Sequence, residues 1–102
     1  MYTFRSMNDE CDEVKREAHA AGDEHYKAMT EFAIAPSSRR RRLALNVALR
    51  YREALDWVID CYRRLTRKRD VSPQLERALE YKHLVEHDID ILETSAPLAE
   101  PE

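Results

Sequence analysis

SRRRRLALNVALRYREALDWVIDCYRRLTRKR, residues 38–69, is the stretch whose reading decides the fold. Leu43, Val47, Tyr51, Ala54, Val58, Cys61 and Leu65 recur at steps of three and four, the spacing of one face of an α-helix. Ala44, Ala48, Leu55 and Tyr62 widen that stripe, while Leu45, Leu49 and Ile59 fall outside it. A helix that is apolar on more than one side needs neighbours on more than one side. This segment is therefore expected to be the long central helix of an all-α domain.

The flanks supply two neighbours. Upstream, Met7, Cys11, Val14, Ala18, Ala21, His25, Ala28 and Phe32 alternate steps of four and three, a coiled-coil-like seam. Its middle is small, and Gly22, which weakens a helix by about 1 kcal/mol relative to Ala, allows a bend or a close contact there. Ser6 reads as its N-cap, with Asp9 three positions on. Residues 1–5 read as an irregular lead whose Tyr2 and Phe4 could pack on the bundle. Pro36 ends this helix, and Ser37 or Ser38 caps the next. So short a connection suits only an antiparallel hairpin. Downstream, Ser72 reads as N-cap and Pro73 as the first helical residue of a third helix. Its apolar face is Leu75, Ala78, Leu79, Tyr81, Val85, Ile89 and Leu92. The expectation is a three-helix, antiparallel (up-down-up) bundle over residues 1–93, with helices at about 6–35, 38–69 and 73–93. Residues 94–102, proline-rich and acidic, read as a disordered tail.

Composition agrees with one small globular domain: 102 residues, 36% charged and 43% hydrophobic, with one glycine. No run reaches the ~18 apolar residues of a membrane span, so no membrane partner is expected. The first ten residues lack the apolar segment of a signal peptide. Cys11 and Cys61 both fall on apolar stripes and read as small core residues rather than a disulfide framework, which places the chain in the cytoplasm. Charge is uneven. Residues 1–35 carry four basic and eight acidic groups, residues 36–69 eleven and three, and residues 70–102 two and nine. An antiparallel layout sets the basic end of the second helix beside the acidic start of the first.

At about 1.5 Å per residue the three helices are about 42, 48 and 32 Å long. On those lengths the third stops opposite about Leu49. The end of the hairpin around residues 25–49 is then left with two helices, too few to cover Leu45, Leu49 and Met29. A second chain is expected to cover it, most simply in a homodimer. This reading makes Leu45 and Leu49 the apolar anchor and Arg39, Arg40, Arg41 and Arg42 the steering charges of a partner-binding surface. The function expected is a non-enzymatic protein–protein interaction module, an adaptor or regulator without a cofactor.

Four cations in a helix's first turn oppose the helix dipole, so the arginine run needs a reason. A solvated start, an acidic protein partner and phosphate binding compete. The last would make the chain a nucleic-acid-binding protein, since arginine forks match phosphate. Helix 3 carries further candidates. His83 and His87 are four apart, Glu80-x-x-His83 matches one arm of a di-metal carboxylate site, and His83-x-x-Glu86-His87 matches the inverzincin pattern. These residues lie opposite the core face, so a metal on Glu80, His83 and His87 would need two chains. Arg77 and His83 fit the R-x(4–6)-H pattern of the HEPN superfamily. That resemblance implies a helical ribonuclease with this pair at its active site. His25, on the seam of helix 1, reads as a core or interface histidine bonded to Tyr26, Tyr51 or a carbonyl.

Overall fold

The computed structural model of the chain describes residues 7–67 and 70–94, with side chains from residue 11 onward. Three helices, α1 (Met7–Ile34), α2 (Ser38–Leu65) and α3 (Ser72–Thr94), account for nearly all of it. They form the expected all-α antiparallel bundle with α2 in the centre. Both α1 and α3 pack their backbones on α2, and among the described residues neither packs its backbone on the other. The result is a slab whose Cα atoms span 29 Å across and 16 Å through its thinnest direction. The expected lead and Ser6 cap, Lys68, Arg69 and residues 95–102 lie outside the described residues.

The local signals act at the first turn as read. Ser37 is extended (φ −156°, ψ 159°), and its hydroxyl accepts the Arg40 backbone N–H at 3.0 Å. The α1 seam is buried as its spacing predicts, with Cys11, Ala18, His25 and Ala28 inside and Val14 and Phe32 packed against them. The start of α3 differs from the expectation. The Val71 carbonyl accepts the first helical bond from Leu75, and the side chain that caps is Asp70, whose Oδ1 accepts the Ser72 N–H at 3.0 Å. Ser72 is therefore the first helical residue. The Ser72 hydroxyl and amide both hold the Asp70 carboxyl below its ordinary range.

Two further expectations are corrected. First, Cys11 and Cys61 are not separate core thiols but a disulfide, with Cα atoms 5.7 Å apart. Both remain in the core, at 1% and 2% exposure. The reason for assigning the chain to a reducing compartment goes with that correction. Second, α3 does not stop opposite Leu49. The Arg41 guanidinium donates from Nη1 to the Leu92 carbonyl at 2.8 Å, so α3 runs back to the first turn of α2. The helical pattern overestimated α2, which ends at Leu65, and underestimated α3, which runs to Thr94. Leu45, Leu49 and Met29 accordingly pack against the core, partly buried.

The core of the slab is continuous. Leu65, Leu92, Val71, Val85 and Cys11 are the largest of its fully enclosed side chains among the described residues. Burying one such aliphatic side chain stabilises by about 1.5–3 kcal/mol. Leu43, Leu79 and Tyr81, read onto apolar stripes, are exposed instead, and Trp57 is 57% exposed. Among the described residues no helix is long and apolar enough to cross a membrane.

Candidate functional site

The broad face of the slab carries a groove with α1 and α3 as its walls and α2 as its floor. Leu55, Val58 and Tyr62, all buried, form the floor of one half, with Ala18 and Ala78 beside them, and that half holds about 420 Å³. The other half, about 430 Å³, runs between Gly22, Tyr26 and Met29 on one wall and Leu84, Val85 and Asp88 on the other. Tyr51 and Tyr81 line both halves and join them. The rim of this second half is apolar and open to solvent: Tyr26 is 76% exposed and Leu84 55%.

Gly22 explains why the groove has this floor. A Cβ built at Gly22 would lie 3.1 Å from the Tyr51 ring, so only glycine lets that ring sit so close to α1. Burial, and then the nearby Tyr81 and Asp23, push the Tyr51 phenol above its ordinary range. One polar strap crosses between the walls. His25, 7% exposed on α1, places Nε2 2.9 Å from Asp88 Oδ2 on α3. Its ring stands 5.6 Å from Tyr51, and its Nδ1 is buried with no hydrogen-bond partner. The partner of His25 is thus a carboxylate from the third helix, not Tyr26, Tyr51 or a carbonyl.

The groove is polarised along its length. One half is flanked by Lys15, His19 and Arg77. Lys15 also meets Asp12 at 3.9 Å, a long exposed contact that leaves the ammonium available. The other half carries the carboxylate of Asp88.

The arginine run lies at one end of the slab, away from the groove-lining residues. Arg40 donates to the Ala35 carbonyl at the end of α1 (3.2 Å), and Arg41 to Leu92 at the end of α3. The N-terminus of α2 lies between the C-termini of its two antiparallel neighbours, whose unpaired carbonyls favour cations. That accounts for the placement of Arg40 and Arg41. Arg39 and Arg42 are exposed, and Leu45 and Leu49 stand beside the run as packing residues rather than a bare patch.

The helix 3 candidates are not brought together. Glu80, His83 and His87 are exposed, and among the described residues no group of three or more His, Cys, Asp or Glu is placed to hold a metal ion. Arg77 lines the groove, whereas His83 is exposed and does not line it. The groove itself went unread in the sequence. The signal was there in Leu84 and Ile91, seven apart on α3 and both off the core stripe. Comparison with models of protein families, with curated proteins and with solved structures returns no match. The functional reading therefore rests on the groove.

Proposed function

We propose that this chain is a small non-enzymatic interaction module, an adaptor or regulator, and that it binds a protein through the α1–α3 groove. The observation that supports this is the pairing of a preformed apolar floor with exposed apolar rims. Tyr26, Tyr81 and Leu84 stand open to solvent along the half lined by Gly22, Met29 and Val85, and Tyr51 joins that half to the buried floor of Leu55, Val58 and Tyr62. Contiguous exposed apolar surface beside a concavity is the mark of a binding face. The surface first expected, Arg39–Arg42 with Leu45 and Leu49, is a weaker candidate because Arg40, Arg41 and both leucines already have intramolecular partners. The same engagement reduces the case for nucleic acid, which would need those cations free to meet phosphate.

A photo-crosslinking amino acid placed at position 84, on the rim, is compared with the same group at position 83, on the outer surface of α3. A discrete protein adduct from position 84 alone supports the groove as the binding face. Equal adducts from both positions, or none from 84, overturn it.

A further inference from the structure

We infer that the occupant of the groove is a second copy of this chain, docked antiparallel, with the Lys15 and Arg77 half of each groove over the Asp88 half of the other. The inference rests on the groove being the binding face and adds what fills it. Three observations carry it.

The first is charge. Lys15 and Arg77 flank one half of the groove and the Asp88 carboxylate the other, so the face is complementary to itself only when one copy is turned end for end. A parallel pairing would set like charges against one another, which disfavours that arrangement. Arg77 and Asp88 are eleven residues apart on one helix, about 16 Å along its axis. A two-fold axis through the middle of the groove exchanges them.

The second is symmetry. Tyr51 and Tyr81, the two residues shared by both halves, lie where that axis would pass. An isologous dimer needs a self-complementary patch centred on its axis. Aromatic side chains are also the ones enriched at the centre of interfaces.

The third is shape. In a slab only 16 Å thick, a core covered by one layer of helices is open along its broad face. A second slab laid on that face would convert two open grooves into one enclosed core. A standard interface takes about 800 Å² from each partner, which a face 29 Å across and several helical turns long can supply.

The test is mass in solution by light scattering over a dilution series, on the intact disulfide-bonded chain. Wild type is expected at twice the 12.1 kDa chain mass. Leu84→Glu, at an exposed position, is expected to give monomer with unchanged helix content. Lys15→Glu/Arg77→Glu and Asp88→Lys, each alone, are expected to weaken association about tenfold or more, and an equimolar mixture to restore it as a heterodimer. Restoration in the mixture is the result that a merely structural role for these charges would not produce. A wild type that stays monomeric at every concentration overturns the second-copy occupant. The crosslink from position 84 then decides separately whether the groove binds another protein. A dimer indifferent to Leu84→Glu overturns both the occupant and the binding face. A dimer split by Leu84→Glu but indifferent to charge reversal overturns the antiparallel arrangement.

Discussion

α2 holds its two neighbours by different means. Toward α1 the chain offers small residues: Ala18 and Ala28 are buried, and Gly22 admits the Tyr51 ring. Toward α2 from the other side, α3 offers Val85, Ile89 and Leu92, all buried. Small side chains let helix backbones approach but remove little apolar area from water, whereas branched aliphatics do the reverse. The α1 side compensates with a covalent bond. Cys11 and Cys61 tie the far end of the hairpin, closing a separation of 50 residues. The α3 side adds polar ties, Lys82 to Asp56 at 2.8 Å and Arg41 to the Leu92 carbonyl. A close-fitting seam can thus be made from residues that contribute little burial, provided something else limits the unfolded chain.

That contrast can be broken from either side. The largest effect is expected from the crosslink. In the chain-entropy picture a loop of this length stabilises by about 4 kcal/mol, so Cys61→Ala, or a dithiol reductant, should lower Tm by more than about 10 °C. Thermal unfolding followed by circular dichroism measures it. Amide exchange should rise first in α1, and a loss below about 1 kcal/mol would mean that the small seam needs no tie. Next in size is Leu92→Ala, which removes a fully buried side chain and should cost about 3 kcal/mol. Here exchange should quicken in α3 while the disulfide-bonded hairpin stays protected; uniform loss across all three helices would show that the two seams are one cooperative unit. The smallest change is expected from Gly22→Ala. Helix propensity favours alanine by about 1 kcal/mol, and the contact with the Tyr51 ring opposes it. Stability should move by less than about 1 kcal/mol. The near-ultraviolet signal should change as Tyr51 is pushed from its seat, and an unchanged aromatic spectrum would show that the ring yields without consequence.

Much of this architecture was legible. Periodicity marked all three helices, Pro36 and Ser37 marked the hairpin, and the α1 seam was read almost residue by residue. The disulfide was legible too, by a step the apolar reading bypassed. Cys11 and Cys61 each stand twenty-five residues from Pro36, so an antiparallel hairpin folded there sets them opposite one another. Less legible was the end of α2. Thr66, Arg67, Lys68 and Arg69 prolong a helix-compatible composition with no proline or glycine to stop it. The lengths of α2 and α3 then erred in opposite directions and left a gap that α3 in fact covers.

The arginine run shows why the site was harder to read than the fold. In the chain it is the most unusual feature and looks like a docking surface. In the structure it lies among helix C-termini contributed by residues as distant as Leu92, and Arg40 and Arg41 are engaged there. The groove, by contrast, is assembled from side chains with no common motif. Lys15, Tyr51 and Arg77 come from three helices and acquire a shared meaning only once those helices are laid side by side.

By itself, then, the sequence determined that this protein is three helices in antiparallel order with the middle one central. Helical periodicity, caps and a short proline turn act over a few residues and are written locally. Only the tertiary structure decided which cations are occupied, that the two cysteines meet, that His25 answers to Asp88, and that α1 and α3 leave a polarised groove between them. Those outcomes depend on register and helix length between segments tens of residues apart, where one turn more or less exchanges every neighbour.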